Sequence, residues 1–254
     1  MEEKNQKSTV DEALDMKISN IEKMGGVVTE SRRGGIQCIS IIGQIEGHYV
    51  LPDGQKATKY EHLLPLLVSV EEDDSVEGLL VLLNTMGGDV EAGLAIAEVI
   101  ASMRKPTVSL VLGGSHSIGV PLAAAARRSL IVPTATMTLH PVRVSGTVIG
   151  VPQSFRYMSE MQKRIIRFIC AHSKADAQVL ESLMMRPDQI ATDCGSVLEA
   201  HETVKYGIID EVGGLDRALE ILRRFSSNSH ENKKKNNSYS KNKVQNREKQ
   251  KNFR

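Results

Sequence analysis

The residues best suited to chemistry in this chain are a serine among small neighbours, a double glycine after a buried run, and a histidine at the end of another. Gly113-Gly114-Ser115-His116-Ser117-Ile118-Gly119 follows the apolar run Val108–Leu112 and precedes the alanine-rich stretch Val120–Ala126. The short β-branched run reads as a buried strand and the alanines as a helix, with Pro121 tolerated in its first turn. Ser117 therefore falls at a strand-to-helix turn, where the unpaired N–H groups of a helix start could stabilise an anion formed at the serine. Turns of this composition also occur where there is no chemistry. Upstream, Leu79–Leu83 leads into Asn84-Thr85-Met86-Gly87-Gly88-Asp89. Those glycines let a backbone approach a ligand closely, or simply supply positive φ for a βα turn. Thr138-Leu139-His140-Pro141 ends a third run. The proline favours extended backbone before it, so His140 would project from a strand's carboxyl end, as a base or as an ordinary structural histidine.

These groups need a scaffold, and the hydrophobic pattern supplies one. Strands are expected near Ile36–Ile42, Leu79–Leu83, Val108–Leu112, Ser129–Val132, Met137–Leu139 and Ile208–Glu211. Helical patterns alternate with them at Tyr60–Val70, Val90–Met103, Val120–Arg127, Phe155–Lys174, Ala175–Met185 and Leu215–Arg224. Such alternation predicts an α/β fold of stacked βαβ units. In the longest helix, Phe155, Met158, Met161, Ile165, Phe168 and Ile169 form one apolar stripe, which the pattern alone assigns neither to the core nor to a subunit interface. Glu46–Lys59 reads as an extended loop, a hairpin lid around Pro52-Asp53-Gly54.

Taken in order, Asn84-Thr85-Met86-Gly87-Gly88-Asp89-Val90-Glu91-Ala92-Gly93, Ser115-His116-Ser117-Ile118-Gly119 and Met137-Thr138-Leu139-His140-Pro141 resemble the glycine loop, nucleophile and histidine motifs of the Clp protease proteolytic subunit family. Val204–Val212 is similar to that family's closing strand, and in detail the chain looks most like its translocation-enhancing branch. Three ordered motifs at compatible spacing are more specific than any one alone. The resemblance covers roughly residues 36 to 224. It implies the Clp-peptidase/crotonase spiral of βαβ units with a protruding long helix, and a serine endopeptidase that works through a Ser-His-Asp acyl-enzyme on polypeptide substrates. Ser117 would be the nucleophile, His140 the base, and Gly88 and Ile118 the oxyanion donors. Asp193 is the expected third member, with Asp188 as the alternative, because the segment that carries the family's aspartate is altered here. Met86 stands where the family often has proline, and His116 where a small residue is usual; His116 is read as structural rather than chemical. The resemblance also implies a homo-oligomer and an AAA+ unfoldase partner, although the 46–59 insertion stands against docking of a standard unfoldase ring. It links the protein to quality control or protein translocation. The alternatives are a catalytically weak scaffold that aids translocation and, less favoured, a crotonase-type acyl-CoA enzyme.

Composition fits one compact domain with tails. Within the 254 residues, the polar segment 1–35 is read as flexible with one weak amphipathic stretch at Val10–Met24, residues 36–225 as the peptidase domain, and 226–254 as a disordered Asn/Lys/Ser-rich tail. Residues 230–254 hold nine Lys/Arg and two Asp/Glu, net +7, against −6 for the remainder. A basic tail on an acidic body could touch anionic surfaces transiently or act only as a solvated tail. No basic stripe interleaved with aromatics occurs and Trp is absent, which stands against dedicated nucleic-acid recognition. Cys38, Cys170 and Cys194 are widely spaced without a C-x-x-C pattern, so reduced thiols are expected, and no metal or cofactor is implied. No leader-like or 18-residue apolar span occurs, and a cytoplasmic location is expected.

Overall fold

A computed structural model describes residues 26–29, 35–52, 54–143, 150–187 and 194–227. The expected α/β architecture is present. Among the described residues, nine strands form a mainly parallel sheet whose main path runs β1-β2-β4-β5-β6-β9. β1 (Gly26–Thr29) pairs antiparallel with β2 (Gly35–Glu46), so the sheet begins ahead of the boundary drawn from the sequence. β4 (Val76–Gly88), β5 (Thr107–Ser115), β6 (Arg128–Ile131) and β9 (Glu211–Val212) continue in parallel register. The run Leu79–Leu83 is apolar throughout because both of its faces are covered, the usual condition of a parallel strand.

Helices close each crossover. α1 (Tyr60–Glu72) precedes β4, α2 (Val90–Ser102) links β4 to β5, and α3 (Gly119–Ala124) links β5 to β6. Asp89 starts α2 sharply, because its carboxylate accepts the Ala92 N–H at 2.9 Å. On one face of the sheet, Ile39, Ile41, Leu79, Val81 and Leu83 pack against helical residues such as Ile96, Leu122 and Ile169. On the other, Leu80, Val108, Leu110 and Leu130 pack against Ala218, Ile221 and Leu222 of a last helix, α7, over 215–227.

The remaining elements make a smaller layer over the carboxyl ends of β4 and β5. β7 (Thr136–Leu139) touches β5 at Gly114↔Thr136 and pairs antiparallel with β8 (Ser196–Glu199). α4 (Val151–His172), α5 (Ala177–Met184) and α6 (Ala200–Lys205) flank it. α4 starts before Phe155 because Pro152 suits a first helical turn. Its apolar stripe divides. Met161, Ile165, Phe168 and Ile169 are buried in the subunit, whereas Phe155 is 68% exposed on the projecting first turns.

Two expectations are corrected. The 46–59 segment is no hairpin: β3 (Ala57–Lys59) pairs in parallel with β2, since Lys56 carbonyl receives Gln44 N–H and the loop crosses over rather than turning back. The closing strand is shorter than 208–211. Ile208 and Ile209 donate their N–H groups to Thr203 carbonyl around the end of α6, and only Glu211–Val212 reach β6. The amphipathic stretch 10–24, the basic tail from 228 onward and Asp53 lie outside the described residues.

Candidate active site

The carboxyl ends of β4, β5 and β7 meet at one point, the place where open α/β sheets bind ligands. Ser117 sits there with φ 56°, the one non-glycine at positive φ among the described residues. Such a conformation stores about 1–3 kcal/mol and persists only when its surroundings enforce it. Four backbone bonds do so. His116 N–H donates to Thr85 carbonyl (3.0 Å), Ser117 N–H to Thr138 carbonyl (2.8 Å), and Gly119 and Val120 N–H to the carbonyls of His116 and Ser117 (2.8 and 3.0 Å). The turn is thereby fastened to both neighbouring strands before α3 begins.

The glycine loop lies directly against it. Gly87 and Gly88 have φ of +91° and +151°. A Cβ on Gly87 would stand 2.7 Å from Ser117 Cβ and 2.8 Å from His116 carbonyl, so both the conformation and the closeness require glycine. Asp89 N–H donates to Ile45 carbonyl (3.0 Å), the bond a parallel ladder makes beside the Ile45↔Gly88 pair. The N–H of Gly88 itself consequently faces away from β2.

Gly88, Ser117, Ile118 and His140 all line one cavity of about 120 Å³, closed by Val90, Val120, Leu139, Val142, Ile165 and Met184 among others. His140 follows the last residue of β7, and its Nδ1 lies 2.7 Å from Pro141 carbonyl. A carbonyl only accepts, so Nδ1 carries the proton in this contact. The loop after His140 is held by α4, where Gln162 Oε1 accepts Val142 N–H at 3.3 Å. α4 is in turn tied to α2 by a forked Arg164–Glu91 pair at 2.6 and 3.0 Å. The Arg164 hydrogen bonds hold the Glu91 carboxyl below its ordinary range.

His116 differs from its neighbour. Its Nδ1 is buried with no hydrogen-bond partner among the described residues. Burial, and then the nearby charge of His140, push its pKa below the ordinary histidine value. The structure thus gathers four of the residues singled out in the sequence, Ser117, His140, Gly88 and Ile118, around one cavity. Asp193 and Asp188 lie outside the described residues. Gln162 and Met184, which also line the cavity, gave no sequence signal beyond their places in helices. Among the described residues no three His, Cys, Asp or Glu side chains converge as a metal site would, and none of the cysteines forms a disulfide.

A family model for Clp protease matches residues 33–215, which include every element from β2 to β9. The chain belongs to the Clp protease family. Among individual relatives, translocation-enhancing protein TepA of Halalkalibacterium halodurans is 52% identical over 206 residues, 81% of this chain and 80% of that protein. The ATP-dependent Clp protease proteolytic subunit of Streptococcus pneumoniae is 25% identical over 150 residues, 58% of this chain and 74% of its own. Proteolytic subunit 1 of Chlamydia muridarum is 26% identical over 137 residues, 53% and 69% of the two chains. Family membership places the chain in a peptidase class. No helix among the described residues is long and apolar enough to cross a membrane.

Proposed function

We propose that this protein is a serine endopeptidase that cleaves polypeptides through an acyl-enzyme on Ser117. The convergence of Ser117, His140, Gly88 and Ile118 on one small cavity carries this reading. His140 Nε2 takes the Ser117 proton as Oγ attacks the scissile carbonyl, and later returns it to the leaving amine. The N–H groups of Gly88 and Ile118 receive the oxyanion, in a setting already fixed by the ladder and the strained turn. Asp193 completes the triad by stabilising the imidazolium, with Asp188 as the alternative; either carboxylate takes over the Nδ1–H that Pro141 carbonyl accepts here. The chain acts as a cytoplasmic homo-oligomer, in quality control or in support of translocation. An unfoldase partner would have to accommodate the 47–56 loop, whose Tyr49 and Val50 are exposed.

A second reading rests on the 52% identity to a protein named for translocation enhancement. In it the subunit is a scaffold with a weak site, and the departures at Met86 and His116 belong to that role. An acyl-CoA reaction is disfavoured, because a serine and a histidine sharing the cavity serve hydrolysis. Hydrolysis of unfolded casein decides between the first two. Wild type should cleave it, Ser117→Ala should not, and Asp193→Asn should lose more turnover than Asp188→Asn. Equal casein stability with wild type and Ser117→Ala would leave the scaffold.

A further inference from the structure

The glycine loop is aimed by a defect in the sheet. β2 and β4 pair residue for residue from Ile36↔Gly78 to Gly43↔Thr85, then resume at Gln44↔Gly87 and Ile45↔Gly88, so Met86 is an extra residue in β4. It is pushed outward to 63% exposure. Bulges of this kind recur beside functional sites, where they redirect the backbone that follows. A bulge also removes a ladder partner from a buried N–H, and that group must be satisfied by something else.

Thr85 does this with its side chain. It is 2% exposed. Its hydroxyl accepts the Gly87 N–H at 3.0 Å and donates to Gly43 carbonyl at 2.6 Å, so its one proton and one lone pair bridge the two strands across the irregularity. The same residue's carbonyl receives His116 N–H, and its methyl group lies against Gly119 at the start of α3, where an added Cβ would be 2.8 Å away. One residue therefore touches β2, the glycine loop and the serine turn.

We infer that Thr85 is a positioning residue whose hydroxyl sets the Met86 bulge and so fixes the direction of the Gly88 N–H relative to Ser117. Without the hydroxyl, the buried Gly87 N–H loses its partner, Gly43 carbonyl loses the bond it accepts from Thr85, and the loop relaxes to recover a partner for Gly87. Thr85 does not itself line the cavity, so among the lining residues the change bears on Gly88. The loss falls on the transition state rather than on binding.

The inference uses the serine-peptidase reading for its kinetic consequence but not for its structural one, and the test separates them. Thr85→Val keeps the methyl and removes the hydroxyl, Thr85→Ser does the reverse, and Thr85→Ala covers the case in which valine fails to fold. Amide hydrogen exchange of full-length protein should show Gly87 exchanging about tenfold faster or more in Thr85→Val and Thr85→Ala, with protection restored in Thr85→Ser. Reaction with a fluorophosphonate, followed against reagent concentration, should show the maximal rate falling about tenfold or more with the half-saturating concentration unchanged, again restored by serine. Unaltered Gly87 exchange in both hydroxyl-free variants overturns the inference. So does a fall in reagent affinity with the maximal rate unchanged. A wild type that never reacts overturns the peptidase reading, while the exchange measurement still decides the role of Thr85.

Discussion

At the scale of single residues, Ser117 and its neighbour His116 face opposite demands. Ser117 must stay strained and reachable, whereas His116 must stay buried and neutral. Because the folded-state pKa of His116 is lowered, first by burial and then by the charge of His140, the ring is neutral in both folded and unfolded chains above its ordinary value of 6.5. Below that value the unfolded chain takes the proton first, so stability falls as the pH drops from 6.5 toward the lower folded value. His116→Gln should flatten this decline, as read from urea midpoints between about pH 7.5 and 5. Identical slopes in the two proteins would mean that His116 carries no such burden. Four of the residues that line the cavity were legible in the sequence, because small residues around a serine, a double glycine and a histidine before proline leave local marks. The bridge made by Thr85 was not legible, since its acceptor at Gly43 is 42 residues away and is met only through the sheet. Nor did the sequence reveal that a loop carbonyl turns back onto the His140 ring.

At the scale of elements, the long apolar runs of β2, β4 and β5 and the patterns of α1 and α2 were readable because burial imposes their periodicity. β3, β8 and α6 were not, being three, four and six residues long and defined by what they pair with or cap. β9 is the extreme case. Its two residues are held by charges, with Glu211 bound to Arg217 at 2.8 Å and to Arg128 at 3.2 Å, and Asp210 to Arg128 at 3.2 Å. The Arg217 hydrogen bond holds the Glu211 carboxyl below its ordinary value of 4.5, with Arg128 acting in the same sense. A carboxylate lowered in the folded state contributes stability above 4.5 that is lost as the pH falls below it. Glu211→Gln should therefore be less stable than wild type near neutrality and should lose less further stability below about pH 4.5, by denaturant melts at each pH. Parallel curves for the two proteins would remove this pairing from the hold on β9.

For the whole molecule, the subunits of the homo-oligomer proposed above would meet through the exposed apolar turns of α4. At 22 residues it is about 33 Å long, and its amino-terminal turns project with Val151, Phe155 and Tyr157 exposed. The sequence pattern put Met161 and Phe155 on one stripe, but Met161 is 8% exposed within the single subunit. A charge there attacks the fold itself. Met161→Glu should lower stability by about 3 kcal/mol or more. Phe155→Glu should leave the subunit folded, within about 0.5 kcal/mol, and break a homo-oligomer into smaller species by light scattering. A wild type that is monomeric at micromolar concentration would confine the apolar turns to another role. The central claim is that this folded frame turns Ser117 into a nucleophile with His140 as its base. The most direct measurement is covalent modification by a fluorophosphonate, mapped by peptide mass spectrometry across pH. The account predicts one modified residue, Ser117, with no reaction in Ser117→Ala, a rate at least about a thousandfold lower in His140→Ala, and a wild-type rate that falls as His140 takes up a proton. Labelling that is absent from Ser117, or undiminished in His140→Ala, would contradict it.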